Sequence, residues 1–184
     1  MTSDLTEIVD GLPNLSGSDD VIVQALAASR DQPVFLRDSR VPFHQIRSAS
    51  AVALHMHQPL LPAGGADLRS ARIIGNLQHM MEHPGVGDNH NASVFLRCYQ
   101  RMGEFVPQLL EEGKEPRVML EYSGTLLYGL RQMGSGNVLD SLRPLACRAE
   151  YQRAVEWLGG PWGHAVAPST PVQDFRLHVR AWQH

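Results

Sequence analysis

The chain has 184 residues, 43% of them apolar and 19% charged, with a formal net charge of −3. That length and apolar content suit a single domain with a buried core and exclude a disordered polymer. Its 16 basic residues are spread along the chain, so no clustered basic face points to a nucleic-acid partner.

Residues 1–45 read as an N-terminal extension. It begins with the acidic stretch MTSDLTEIVDGLPN, which lacks the basic and apolar regions of a signal peptide. No apolar run reaches the roughly 18 residues that span a bilayer, so a cytoplasmic protein with no membrane partner is expected. Within the extension a helix is expected at Asp20–Ser29 and an extended segment at Pro33–Leu36.

The first strong element is Ala49–His57, a run of small and β-branched apolar residues that ends in polar ones before Pro59. This suits a buried parallel strand. Asp67 can cap a helix in which Ile73, Ile74, Leu77, Met80 and Met81 recur at helical spacing, stopped by Pro84 and Gly85. A polar loop, Gly87–Asn91, follows. A longer helix then carries Val94, Phe95, Cys98, Tyr99, Met102, Phe105, Val106, Leu109 and Leu110, with a kink expected at Pro107. Cys98 lies on its apolar side, where a buried thiol is expected. With only Cys147 beside it, there is no disulfide framework.

Arg117–Glu121 reads as a second buried strand, running through Tyr122-Ser123-Gly124 into a helix at Thr125–Met133. Helical patterns follow at Val138–Leu142 and Tyr151–Leu158. Gly163–Ala167 reads as a third strand. Thr170-Pro171-Val172-Gln173 has the form of a capping box, opening a helix with Val172, Phe175, Val179 and Trp182 on one face. This alternation of strands and helices predicts an α/β fold with parallel strands and right-handed crossovers. The last helix has no stop signal, and three strands cannot close a barrel. The chain is therefore expected to be truncated at the C-terminus.

Parallel α/β folds present their sites at the C-terminal ends of strands. His55 and His57 end the first strand two residues apart, so both rings are expected to face one side, suited to metal ligation or to a polar substrate. Glu121 ends the second strand, as a ligand-facing carboxylate or as a partner for the next helix or an Arg. His164 is a third pocket histidine or a structural one. Asn89 and His90 belong to a loop rich in hydrogen-bonding groups, a composition that turns also have. Trp157 and Trp182 fall on apolar helix faces and are expected in the core.

Leu54-His55-Met56-His57-Gln58-Pro59-Leu60 resembles the first signature region of glycoside hydrolase family 57, an HQP triplet at the end of the first barrel strand. Trp162-Gly163-His164-Ala165 resembles the second signature region. The stretches GDNHNASVFLRCYQRMGEFVPQLLEEGKEPRVMLEYSGTLLYGLRQMG and WLGGPWGHAVAPSTPVQDFRLHVRAWQH are similar to the segments around it, and the likeness runs from about residue 33 to the end. The resemblance implies that residues 46–184 are the N-terminal portion of a partial (β/α)7-type barrel. It also implies a retaining hydrolase or transferase of α-glucan-type carbohydrates, with no metal or other cofactor. Retention needs two carboxylates about 5–5.5 Å apart. In the family both the nucleophilic Glu and the acid Asp come after the second region, so both are expected beyond residue 184. The implied substrate-binding residues are His55, His57, Gln58, Glu121 and His164, with Asn89 and His90 added for their place in the loop.

Two other readings compete. A metal-dependent amidohydrolase or deacetylase-like barrel would use the HxH pair, with His164 as a third ligand and a metal-activated water. A complete chain of this kind would instead be a non-catalytic carbohydrate-binding protein.

Overall fold

The computed structural model describes residues 8–9, 12–13, 17–29, 43–63 and 67–183. In the N-terminal segment, β1 (Ile8–Val9) pairs antiparallel with β2 (Leu12–Pro13), and α1 spans Asp19–Ser29. The extended segment expected at Pro33–Leu36 lies outside the described residues.

The centre of the fold is a parallel three-stranded sheet. β3 (Ala53–Met56) is followed by an antiparallel pair, β4 (Leu60–Pro62) with β5 (Ile73–Gly75). Next come α2 (Asn76–Glu82), a 3-10 turn at Gly87–Asn91, and α3 (Ala92–Glu111) with Pro107 inside it. β6 (Val118–Tyr122) leads into α4 (Gly124–Gln132) and α5 (Gly136–Cys147), then β7 (Val155–Trp157) and α6 (Val172–Gln183). The sheet order is β3-β6-β7, with both pairings parallel. The described residues thus form a parallel α/β unit, and their sheet does not close into a barrel.

Sidedness follows from strand alternation. Leu120 and Tyr122 on β6 are almost fully buried, joined by Leu54 and Met56 from β3, against apolar residues of α2 to α5. Successive side chains on a strand face opposite ways, so His55 and Glu121 fall on the other face, where Ala53 and His55 are exposed. The helices therefore cover one face of the sheet, and the polar groups gather on the second.

The helix expected from Asp67 starts nine residues later. Ile73 and Ile74 pair as a strand with Leu60–Pro62, as β-branched residues favour, and Asp67 caps a local turn by accepting the Arg69 N–H at 3.0 Å. The Tyr151–Leu158 pattern is also not a helix. A 3-10 turn at Ala149–Tyr151 gives way to β7, because Val155 and Trp157 find backbone partners on the free edge of β6. Apolar periodicity alone does not separate a short strand from a helix. Trp157 is accordingly a strand residue, 37% exposed and tilted against Tyr122, not a core residue of a helix.

Cys98 is exposed. α3 buries the stripe Ala92, Tyr99 and Val106, and Cys98 lies to one side of it. At Gly103 the backbones of α3 and α5 approach closely, and a Cβ there would lie 2.6 Å from the Ser141 carbonyl oxygen. The hydroxyl of Thr170 donates to the Val166 carbonyl at 2.9 Å, in the turn before α6.

Candidate functional site

The third strand expected at Gly163–Ala167 is instead part of a loop, and its geometry builds the site. After β7, the Leu158 N–H donates to the Leu120 carbonyl at 2.8 Å, and the chain turns away from the sheet. Pro161 to His164 forms a tight turn closed by the His164 N–H on the Pro161 carbonyl at 3.0 Å. The turn rests on α6: the Trp162 N–H donates to the His178 carbonyl, and the Gly163 N–H to His178 Nδ1, both at 3.1 Å. His164 then takes a left-handed backbone conformation with φ of 57°. For a side-chain-bearing residue this costs about 1–2 kcal/mol.

That conformation brings the His164 ring over the end of the sheet. Its centroid lies 4.7 Å from that of His55 and 4.3 Å from that of His57, stacked on the latter at 25°. The parallel register supplies the partners. His55 lies beside Glu121, and its Nδ1 contacts the Glu121 carboxylate. One step further, His57 Nδ1 meets Ser123 Oγ at 2.8 Å. Two His-to-β6 rungs are thus laid side by side and roofed by His164.

A cavity of about 370 Å³ opens beside this cluster, lined by His55, Glu121, Gly160, Pro161 and His164 among others. It is near the low end of the roughly 300–1,000 Å³ typical of small-molecule sites. Glu121 is the carboxylate in its lining, with a side chain only 13% exposed.

The other residues singled out by sequence lie elsewhere. Gln58 is buried, and its amide donates to Tyr99 Oη at 2.8 Å and accepts from Asn76 Nδ2 at 2.6 Å. It ties the end of β3 to α3 and to the first residue of α2. Asn89 donates to the His83 carbonyl at 2.9 Å, and His90 Nδ1 lies 3.3 Å from the Gly87 carbonyl, so both serve their own loop. Ser123 is the site residue the sequence reading misses, although a Ser at a strand end before Gly-Thr-Leu-Leu is a helix-cap signal.

Among the described residues no group of three or more His, Cys, Asp or Glu is arranged to hold a metal ion. The His57 and His164 rings stack face to face, so their in-plane lone pairs do not aim at a common point. The Nδ1 atoms of His55 and His57 meet Glu121 and Ser123, so Nε2 is the nitrogen each ring could offer to an ion. Metal-activated amidohydrolysis would need nitrogens converging at about 2.0–2.1 Å on one ion.

Burial holds the His57 imidazolium pKa below its ordinary value, and the facing His164 and His55 rings push it the same way. Burial and the His164 ring lower His55 in the same way, and His57, the less exposed of the two, serves as the reporter. The unfolded chain binds the His57 proton at higher pH than the folded chain does. This contribution to stability is therefore complete above about pH 6.5 and is lost as pH falls through the lowered folded value. Melting temperature should drop across that interval, and His57→Gln should flatten the drop. An unchanged slope in the variant would show that His57 does not drive it.

Among the described residues no helix is long and apolar enough to cross a membrane. The chain is a parallel α/β protein with a histidine-rich cavity at the carboxyl ends of its strands. It belongs to glycosyl hydrolase family 57, whose model matches residues 51–183. No curated protein and no solved structure matches the chain.

Proposed function

We propose that this chain forms the sugar-binding part of a retaining α-glucan hydrolase or transferase, working in the cytoplasm without a nucleic-acid partner. Supporting this is one observation: in a chain of this family, His55, Glu121 and His164 meet at the carboxyl end of a parallel sheet around a cavity of small-ligand size. Imidazoles and a carboxylate offer the mixed donors and acceptors that sugar hydroxyls require. His57, stacked behind His164, holds that ring in place.

Retaining hydrolysis requires two carboxylates about 5–5.5 Å apart. Among the described residues, Glu121 is the carboxylate lining this cavity, and it is engaged with His55. We therefore propose that Glu121 binds sugar instead of reacting, and expect residues 1–184 to bind maltooligosaccharides without turning them over.

Calorimetric titration with maltotriose, alongside a reducing-sugar assay, tests both halves. Binding without turnover is the expected result. His164→Ala should weaken binding by roughly tenfold, about 1.4 kcal/mol. Robust turnover would show a catalytic pair within the chain, and failure to bind would remove the sugar-site reading. Tightly held zinc at about one equivalent would support metal-dependent chemistry instead.

The strain at His164 gives a separate check. Glycine accepts φ of 57° freely, whereas alanine does not. His164→Gly should be more stable than His164→Ala by about 1 kcal/mol, or about 2–4 °C in melting temperature, while both lose sugar binding. The reverse order would mean that the loop does not hold its left-handed turn.

A further inference from the structure

We propose that Ser123 is a positioning residue that fixes the tautomer of His57, so that the His57 ring proton resides on Nε2. The inference rests on the sugar-site reading only for its effect on binding.

Ser123 is fully buried and stands where β6 becomes α4. Its backbone N–H donates to the Met56 carbonyl at 2.9 Å, which continues the parallel register by one residue and sets its side chain beside His57. Its Oγ caps α4 by accepting the Leu126 N–H at 3.4 Å. That leaves the hydroxyl one lone pair and one proton for its two remaining neighbours, His57 Nδ1 at 2.8 Å and Thr125 Oγ1 at 3.2 Å.

An imidazole nitrogen is a stronger acceptor than an alcohol oxygen, so the proton goes toward Nδ1 and the Thr125 hydroxyl donates into Oγ. Two further effects act in the same direction. The helix N-terminus stabilises negative charge building on Oγ, and accepting the Leu126 N–H makes the hydroxyl a better donor. With Nδ1 occupied as an acceptor, the ring proton resides on Nε2. Its orientation is then set by a group held in a rigid strand-to-helix junction, the kind of outer support that gives a polar site its geometry.

The test is ¹⁵N-histidine NMR of the full chain at pH 8, where imidazoles are neutral, with maltotriose titration in parallel. In the wild type, His57 should show an unprotonated Nδ1 and a protonated Nε2. Ser123→Ala should move both nitrogens toward averaged shifts and weaken maltotriose binding by roughly two- to tenfold. Alanine also removes a helix cap, so Ser123→Gly serves as a second variant, since glycine caps nearly as well but lacks the hydroxyl. Ser123→Thr, which keeps the hydroxyl, should restore the wild-type shifts. A wild-type His57 protonated at Nδ1, or spectra unchanged in both hydroxyl-less variants, overturns the proposal. Loss of the tautomer preference in a chain that binds no sugar would uphold it while removing the sugar-site reading.

Discussion

Replacing Gly124 with alanine is expected to lower stability by about 3 kcal/mol, or roughly 6–12 °C in melting temperature, and to abolish sugar binding. Gly124 is the first residue of α4, and the indole of Trp162 occupies the space a Cβ would need. The two elements are also joined by the Thr125 N–H, which donates to the Trp162 carbonyl at 3.2 Å. The Trp162 backbone N–H is held by the His178 carbonyl, so a shift of the Trp162 backbone pulls on the turn that carries His164. Calorimetric melting, Trp fluorescence and maltotriose titration check the three consequences together. A variant that melts within about 1 °C of the wild type would show that the indole does not lie on Gly124.

The other large effect concerns the strand that carries the site. Leu120 is fully buried at the centre of the sheet, on the face turned toward the helices. Leu120→Ala leaves a cavity there and should cost about 3 kcal/mol, within the 2–5 kcal/mol range for buried Leu truncations. Leu120 alternates with Glu121, so loosening β6 also loosens both rungs to the histidines. Binding should weaken although no residue lining the cavity has changed. Leu68→Ala is the control: Leu68 is 78% exposed, and its loss should stay within about 0.5 kcal/mol. Equal effects for the two variants, read by denaturant unfolding, would mean that the sheet is not the centre of the core.

Local sequence determined much of this architecture. β3 and β6 lie within a few residues of where their apolar runs put them, because Leu54 and Met56 of the first and Leu120 and Tyr122 of the second alternate onto the face that the helices cover. α1, α3, α4 and α6 also fall close to where apolar periodicity places them, although the Thr170 hydroxyl expected to cap α6 turns back to the Val166 carbonyl. The convergence of His55 and His57 on one side follows from the two-residue repeat of a strand, which needs no knowledge of neighbours. The choice between helix and strand at Val155–Trp157 and at Ile73–Gly75 was made by neighbouring backbones. Short segments carry too little pattern to resist a partner edge.

The partnerships were likewise decided only in three dimensions. The register of β3 on β6 joined His55 to Glu121 and His57 to Ser123 across 66 residues of sequence. A left-handed turn resting on α6 carried His164 over both rings. Gln58 illustrates the limit most clearly. It shares its triplet with His57, yet its place one step along the strand sends it to Tyr99 and Asn76. Residue type and spacing identify which groups can do chemistry, whereas strand pairing and loop closure decide which of them meet, because contacts between distant segments depend on packing that no local pattern encodes.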